Sequence, residues 1–237
     1  MEHAVKLSRR LQTVANYLPK GAFFADIGTD HAHLPCYVCM NDETARAIAS
    51  EVAAGPFELA KNTVKRYQLS DVIDVRKGDG LEVIKGENIA QLVISGMGGK
   101  LIRSILQEGK TKLHSVQRII VQPNIEAQFV RKILVQQGFY IAHEEMVEEK
   151  NHIYEIIVAD KKQAGMPHTE YTEKELLFGP LLMEQKPAIF YKKWRSEYQR
   201  LQRVIQQMEQ AVKPDQEKMR QLKIERAWVE EVLNHGS

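Results

Sequence analysis

The fold is decided by residues 23–35, which read Phe23-Phe24-Ala25-Asp26-Ile27-Gly28-Thr29-Asp30-His31-Ala32-His33-Leu34-Pro35. The apolar residues before Asp26 predict a short buried strand that ends on this acid, and Gly28 permits a sharp turn that passes close to a ligand. In an open α/β sheet, ligands bind beyond the carboxyl ends of the strands, where such a turn lies. An ordinary strand-ending turn explains these residues equally well, so the rest of the chain has to decide.

Two further predicted strands also end next to acidic residues. Residues 44–50 predict a second strand that ends at Glu51, 25 residues after Asp26, where an acid is placed to accept hydrogen bonds from ribose hydroxyls. Residues 73–76 predict a third strand, which leads to Asp79 between two glycines. An ionised Asp79 accepts hydrogen bonds and so suits an adenine amino group, and a plain Asp-Gly turn is the alternative.

The fourth and fifth predicted strands, residues 91–94 and 118–121, lead into segments without acids. These segments read Ser95-Gly96-Met97-Gly98-Gly99-Lys100 and Gln122-Pro123-Asn124. The glycine spacing does not match a phosphate-binding P-loop, so we expect these glycines to allow close approach of the backbone to a flat or crowded ligand. Two last strands, residues 140–147 and 152–159, are predicted to form an antiparallel hairpin.

Strands and helices alternate up to this closing hairpin. The alternation predicts an α/β fold with a Rossmann-like, seven-stranded, mostly parallel doubly wound sheet. Sheets that bind dinucleotides usually continue with helices, whereas Rossmann-like methyltransferases that use S-adenosylmethionine end on an antiparallel seventh strand. The chain resembles the methyltransferases in this respect.

Composition sets limits on the class of protein. The chain has 237 residues, of which 43% are hydrophobic and 27% are charged, with a net charge of +2. These values are ordinary for a globular protein. The first residues show no signal-peptide pattern and no apolar run reaches the roughly 20 residues that span a bilayer, so we expect a cytoplasmic protein without membrane attachment.

Two histidines and two cysteines after the first turn raise the question of a metal site. His31, His33, Cys36 and Cys39 lie within nine positions, at the start of one predicted helix. Structural zinc sites usually pair two ligand couples across a longer loop, and four ligands so close together do not easily form a tetrahedron. We therefore predict no metal, buried thiols at the cysteines, and a His31 that faces the ligand.

The last third of the chain predicts a separate helical region. We expect a methyltransferase domain over residues 1–160 and a coiled-coil-like helical hairpin over 161–237, because apolar residues beyond a polar linker recur at alternating spacings of four and three. These residues are Trp194, Tyr198, Leu201, Ile205, Met208 and Val212, and a second stripe follows Pro214.

Basic residues concentrate on the first of these helices. Six of them meet one acid, Glu197, between Lys186 and Arg203. The residues predicted to bind RNA are Lys192, Lys193, Arg195, Arg200 and Arg203. A solvated helix face is the alternative interpretation, and Arg9 and Arg10 on the predicted first helix are a second candidate for RNA contact.

Five short segments occur in an order that resembles one known family. They are Leu7-Ser8-Arg9-Arg10-Leu11, Ala25-Asp26-Ile27-Gly28-Thr29-Asp30-His31-Ala32, Gly78-Asp79-Gly80-Leu81, Gly96-Met97-Gly98-Gly99 and Gln122-Pro123-Asn124. Together they resemble the bacterial tRNA (adenine-22 N1)-methyltransferases nearly end to end, including the helical tail. The run after Asp26 departs from the general methyltransferase signature, because Asp30 and Ala32 replace its second and third glycines.

The resemblance implies transfer of a methyl group from S-adenosylmethionine to N1 of an adenine in the D-arm of tRNA. Separately, we expect a monomer without an obligate protein partner. We assign cofactor binding to Asp26, Gly28, Asp30, His31, Glu51, Asp79, Gly80, Ser95 and Gly96. We assign positioning of the base to Ser95, Gly96, Met97, Gln122 and Asn124.

Adenine N1 carries a lone pair, so direct in-line attack on the methyl group needs no strong general base. Two other classes use parts of the same pattern. A nicotinamide-dependent oxidoreductase would use the same turn and Glu51, and a non-catalytic RNA-binding protein would keep only the basic helices.

Overall fold

The computed structural model describes residues 5–166, 170–211, 213 and 215–234. Its strands are β1 (Phe23–Ile27), β2 (Arg46–Glu51), β3 (Ile73–Lys77), β4 (Gln91–Gly98), β5 (Arg118–Ile125), β6 (Phe139–Glu149) and β7 (His152–Lys161). Its α-helices are α1 (Arg9–Asn16), α2 (His33–Asn41), α3 (Ala54–Arg66), α4 (Gly99–Glu108), α5 (Ala127–Gln136), α6 (Glu173–Phe178), α7 (Pro180–Gln185), α8 (Ala188–Glu209) and α9 (Gln216–Asn234).

The strands form one seven-stranded sheet in the order β3-β2-β1-β4-β5-β7-β6. Strands β1 to β5 are parallel, and β7 pairs antiparallel with both β5 and β6. The strand order reverses between β1 and β4, which is the point where open α/β sheets bind their ligands. The predicted fold class, including the closing hairpin, is confirmed.

Helices cover both faces of the sheet. The central strands carry apolar side chains on both faces, and these side chains pack against the helices. Ile94 and Val121 belong to one buried cluster, and Phe24, Val93 and Ile120 belong to the other. Side chains alternate between the faces of a strand, so a strand that is buried on both faces reads as a continuous apolar run. This burial explains why the sequence pattern predicts β1, β4 and β5.

Strands β4 and β5 continue past their predicted ends into the segments expected to be turns. Their ladder runs on to the pair Gly98 and Ile125, with irregular register after Ser95. At Gly99 an added Cβ would lie 2.1 Å from the carbonyl oxygen of Glu126. The close approach that this glycine allows is therefore an approach to the chain itself, which holds the start of α4 against the end of β5.

The two cysteines are buried between α2 and the sheet, as expected. Burial raises the pKa of Cys36 and of Cys39 to about 12, so both remain thiols at neutral pH. Over the residues that the structure describes, no group of three or more His, Cys, Asp or Glu side chains is arranged to hold a metal ion. A search of the same residues finds no helix long and apolar enough to cross a membrane.

The chain divides into two compact units between Leu181 and Leu182, later than the expected boundary at residue 160. The reason is a buried arginine in the first unit. Arg131 is fully buried, forms ion pairs with Glu144 and Glu155, and donates a hydrogen bond of 3.0 Å to the carbonyl of Leu176. These contacts hold α6 to the sheet, so the residues after 160 continue the first unit.

The second unit, residues 182–237, contains the long helices α8 and α9. The predicted apolar seam is buried at Trp194, Leu201 and Ile205 on α8. Val229 and Val232 are buried on α9, so the two helices pack through apolar stripes. Val212, the last residue of the predicted seam, and Pro214, which was expected to break it, lie outside the described residues.

Candidate active site

The first part of the candidate site, which we call the cofactor end, is formed by the ends of β1, β2 and β3. Asp26 is buried and accepts a hydrogen bond of 2.6 Å from the hydroxyl of Thr29. Burial raises the pKa of Asp26 to about 7, the nearby charges of Glu51 and Asp30 add to this, and the hydrogen bond from Thr29 opposes it. The carboxyl group is therefore partly protonated near neutral pH.

The turn after β1 has positive φ values although Asp30 and Ala32 stand where the general methyltransferase signature has its second and third glycines. Gly28 has a φ of +67°, and an added Cβ would lie 2.2 Å from Cε of Met97. Asp30, His31 and Ala32 also have positive φ values, of 44°, 66° and 58°. Each residue other than glycine in this region costs about 1–3 kcal/mol, so the turn after β1 is strained at these three successive residues.

Glu51 fixes this loop to the end of β2. Its Oε1 atom accepts a hydrogen bond of 2.8 Å from the backbone N–H of Asp30. The side chain of Asp30 is exposed, and the His31 ring packs edge-on against His33, with 5.7 Å between the ring centres. The sequence prediction that the turn and Glu51 meet is therefore consistent with the geometry.

Asp79 follows the end of β3, the strand next to β2. The N–H of Gly78 donates a hydrogen bond of 3.0 Å to the carbonyl of Glu51, which ties the two strand ends together. The Asp79 side chain is exposed, and Gly80, with a φ of +48°, begins a short 3-10 helix over Gly80–Val83. The structure thus brings Asp26, Glu51 and Asp79 to neighbouring strand ends.

The second part of the candidate site, the base end, is formed by β4 and β5 and is built from amide groups. Gln122 is fully buried, and its Oε1 atom accepts hydrogen bonds from the N–H of Gly96, at 3.2 Å, and from the guanidinium group of Arg10. Its Nε2 donates to Oδ1 of Asn124 at 3.1 Å, and Nδ2 of Asn124 donates to the carbonyl of Gly96 at 2.7 Å. Gln122 therefore lies behind the exposed Gly96 and Asn124 and holds them in place.

Arg10 has a place in the site that sequence reasoning did not foresee. Its guanidinium group lies over the ring of Tyr154 at 5.3 Å, and its backbone N–H donates a hydrogen bond of 3.2 Å to Glu149. The basic cluster at residues 6–10 indicated RNA contact, but no sequence signal links Arg10 to Gln122, which lies 112 positions away. Arg9 is exposed on the same helix.

A cleft of about 470 Å³ opens beside Arg10. Its lining includes Ser8 and Arg10 from the N-terminal region, Asp30 from the β1 turn, and His152 and Tyr154 from β7. The cleft thus adjoins both the cofactor end and the residue that holds the base end.

One hydroxyl between the two ends lacks a partner. Oγ of Ser95 is buried and has no hydrogen-bond partner within the described part of the chain. A buried polar atom without a partner is costly, so this hydroxyl is suited to a ligand atom. Met97, two residues on, is half-buried and packs against Gly28 at the cofactor end.

The predicted RNA-binding residues of α8 differ in their surroundings. Lys192, Arg195 and Arg203 are exposed, and the ammonium group of Lys193 lies over the Trp194 ring at 5.1 Å. Arg200 instead forms an ion pair with Glu197, with both carboxylate oxygens 2.9 Å from its Nε. Part of the cluster is therefore neutralised within the helix.

The strand order and the position of these polar groups define the class as Rossmann-like methyltransferases. Known proteins that are similar to this chain belong to the same class. A family model described as tRNA (adenine(22)-N(1))-methyltransferase (TrmK) matches residues 24–231. The chain is 43% identical to the Bacillus subtilis (strain 168) tRNA (adenine(22)-N(1))-methyltransferase over 98% of this chain and 99% of the relative.

Two solved structures extend the comparison to ligands. A putative tRNA (m1A22) methyltransferase from Streptococcus pneumoniae, in complex with S-adenosyl-L-methionine, is 33% identical with a TM-score of 0.84, covering 96% of this chain and 100% of that one. The M. capricolum TrmK in complex with S-adenosyl-homocysteine is 25% identical with a TM-score of 0.82, covering 98% and 99%.

The chain belongs to the tRNA (adenine(22)-N(1))-methyltransferase family. The resemblance seen in the sequence motifs is thereby confirmed, as are the methyltransferase class and S-adenosylmethionine as its cofactor. The findings decide against a nicotinamide-dependent oxidoreductase and against a non-catalytic RNA-binding protein.

Proposed function

We propose that this chain carries out the reaction of its family, transfer of a methyl group from S-adenosylmethionine to N1 of adenine 22 of tRNA, with cofactor and base held at adjacent strand ends. The observation that supports this division is the chemistry of the two ends. Acids stand at or just after the ends of β1, β2 and β3, whereas neutral amides stand in the last residues of β4 and β5.

The cofactor end fits an adenosyl group. Glu51 accepts hydrogen bonds from the ribose hydroxyls, Asp79 accepts one from the adenine amino group, and the partnerless hydroxyl of Ser95 bonds to a polar atom of the ligand. The bound cofactor supplies an electrophilic methyl group on a sulfonium centre. The remaining assigned residues, Gly28, Asp30, His31, Gly80 and Gly96, shape the turns around it, and Asp26 anchors the first turn through Thr29.

The base end holds the adenine without removing a proton. Asn124 and Gly96 present amide groups to the adenine edge, while the buried Gln122 acts through them as a positioning residue. Met97 packs between the two ends. The attacking N1 must lie in line with the methyl group at about 3 Å, and a fixed arrangement of neutral dipoles tolerates the positive charge that develops on the ring.

Contact with tRNA is divided between the two units. Lys192, Lys193, Arg195 and Arg203 on α8 bind phosphates of the RNA, with Arg200 contributing less because Glu197 holds it. Arg9 adds a contact from α1. Pairing inside folded tRNA occupies N1, so the base swings out before it reacts. The enzyme acts as a cytoplasmic monomer.

The test is methylation of two tRNA transcripts that differ only at position 22, one with adenine and one with guanine. With S-adenosylmethionine, the first transcript should yield 1-methyladenosine on nucleoside analysis and the second should yield none. Calorimetric titration should show binding of S-adenosylmethionine and no binding of NAD. Methylation of both transcripts, or of another base, would contradict the proposed substrate.

A further inference from the structure

Two large apolar side chains are exposed at the base end. Ile125, the last residue of β5, is 64% exposed, and Leu101, in the first turn of α4, is 54% exposed. Exposed apolar surface at this level is not held by packing within the chain, and it lies next to Asn124, the amide that we place at the adenine edge. Its position therefore points to the RNA rather than to folding.

Contacts between β4, β5 and α4 hold the backbone at both side chains in place. Gly98 pairs with Ile125 in the β4–β5 ladder, and an added Cβ at Gly98 would lie 3.8 Å from Cγ1 of Ile125. Lys100, the neighbour of Leu101, forms an ion pair of 2.7 Å with Glu126, the neighbour of Ile125. The ladder and this ion pair hold the two exposed residues on adjoining segments, and we call these two residues the apolar wedge.

Cations border the apolar wedge. The ammonium group of Lys100 and the guanidinium group of Arg103 lie over the ring of Phe129 at 5.3 and 5.5 Å, and both side chains are exposed. An apolar tip beside positive charge matches a nucleobase stack beside its phosphates. Proteins that unstack bases insert apolar side chains of this type between base steps.

We propose that Ile125, supported by Leu101, enters the stack of the tRNA and fills the space that adenine 22 leaves when it swings into the base end. Arg103 contacts a phosphate beside it, and Lys100 contributes less because Glu126 holds its ammonium group. The inference rests on the proposed function, because it takes adenine 22 as the base that is moved. It assigns to Ile125 a role in extruding the base, separate from the methyl transfer itself.

The experiment uses the full chain and a tRNA transcript with the fluorescent base 2-aminopurine at position 22, in the presence of S-adenosylhomocysteine. Binding of the wild-type protein should raise the fluorescence several-fold, since an extruded base is unquenched. Ile125→Ala should lose most of this rise, Ile125→Leu should retain it, and Leu101→Ala should lose part. Leu59→Ala on α3, where the leucine is 50% exposed, is the matched control and should behave as wild type.

A second substrate separates extrusion from a general loss of binding. In a transcript whose residue opposite adenine 22 is abasic, extrusion is easier, so the wedge is less needed. We expect Ile125→Ala to reduce methylation of the normal transcript by about 10-fold, the order expected for the cost of unstacking a base, and to act nearly normally on the abasic one. Affinity for S-adenosylmethionine and the melting temperature, which should match wild type, check that the variant is folded.

The outcomes are distinct. Wild-type fluorescence and wild-type methylation by Ile125→Ala would overturn the wedge while leaving the proposed function intact. An equal loss on both transcripts would also overturn it, since the residue would then act on something other than extrusion. A change of oligomeric state on gel filtration, with unchanged fluorescence, would reassign the patch to a protein contact. Failure of the wild-type chain to methylate adenine 22 would instead refute the proposed function.

Discussion

The cofactor end and the base end lie side by side on one sheet but are assembled in different ways. At the cofactor end the stabilising contacts join residues that are close in sequence or on adjacent strands, such as Thr29 with Asp26 and Asp30 with Glu51. At the base end the central contact joins Gln122 to Arg10, 112 positions away. The cofactor end is therefore mostly local, whereas the base end depends on the docking of the first helix.

The two ends also differ in charge. Three acids stand at the ends of β1, β2 and β3, of which Asp26 accepts a hydrogen bond from the hydroxyl of Thr29 and Glu51 accepts one from the backbone N–H of Asp30. The base end offers amides whose dipoles are fixed by each other, which suits a base that enters neutral and leaves as a cation. In the proposed function, cofactor binding belongs to the acids and positioning of the base belongs to the amides, and the following predictions test that division.

The largest effect concerns the buried acid of the cofactor end. Burial raises the pKa of Asp26 to about 7, so between about pH 4 and 7 the folded state holds a proton that the unfolded state has released. The free energy of unfolding should therefore fall as the pH rises, by about 3 kcal/mol between pH 5 and 8 relative to Asp26→Asn. Urea unfolding of both proteins across this range measures it, with the exposed Asp71→Asn as control. Parallel curves for wild type and Asp26→Asn would contradict the buried, protonated state.

Removal of the buried amide tests the base end. Gln122→Ala leaves Gly96 and Arg10 without their acceptor, and a base displaced by about 1 Å loses about 100-fold in rate. We expect the single-turnover rate to fall by about this factor while affinity for S-adenosylmethionine stays within about 2-fold of wild type. The exposed Gln107→Ala on α4 is the control. A loss of affinity for S-adenosylmethionine as large as the loss of rate would contradict the assignment of Gln122 to the base end alone.

Substitution of Glu51 tests the cofactor end, where we expect a loss of affinity for S-adenosylmethionine. Glu51→Ala removes the acceptor of Asp30 N–H and the proposed partner of the ribose, which costs about 2 kcal/mol, or roughly 30-fold in the dissociation constant for S-adenosylmethionine. Calorimetry measures this constant, and affinity for tRNA should not change. Glu43→Ala, an exposed glutamate outside the site, should match wild type. Unchanged cofactor affinity in a folded Glu51→Ala variant would remove Glu51 from the site.

The cations of α8 belong to neither end, so their removal should affect only tRNA. Replacing Lys192, Lys193 and Arg195 by Ala should weaken tRNA affinity about 10-fold and make its dependence on salt shallower, because each phosphate contact adds to the salt slope, by about 0.9 on B-form duplex. Which adenine is modified should not change. The control replaces three cations of α3, Lys61, Lys65 and Arg66. An unaltered salt slope would make the helix a scaffold and direct attention to Arg9.

The smallest effect is the pH dependence of the chemical step. N1 of adenine is already unprotonated above neutral pH, so the single-turnover rate with saturating cofactor and tRNA should change by less than about 2-fold between pH 7.5 and 9. Quenched samples analysed for 1-methyladenosine give this rate. A tenfold rise in this rate per pH unit would require a general base. It would contradict the proposal that neutral amides alone position the adenine.

Much of the fold could be predicted because burial on both faces leaves a continuous apolar run. Residues 23–25 and 119–121 show this pattern, and the closing hairpin after Gly138 is marked by two runs around polar residues. The boundary of the second unit could not be predicted in the same way. The polar stretch near residue 160 indicates a linker, whereas Arg131 holds the following helix to the sheet through the carbonyl of Leu176.

The sequence by itself determined the succession of strands and helices along the chain, the acids at the ends of β1, β2 and β3, and the family, since these depend on local periodicity and on motifs read in order. Only the tertiary structure decided how the base end is held. Gln122 appears in the sequence as a polar residue after a strand, free to contact the base, and Arg10 as one cation in a basic cluster. Their hydrogen bond forms because α1 docks beside β5, and a contact made by folding over 112 positions leaves no pattern in the chain.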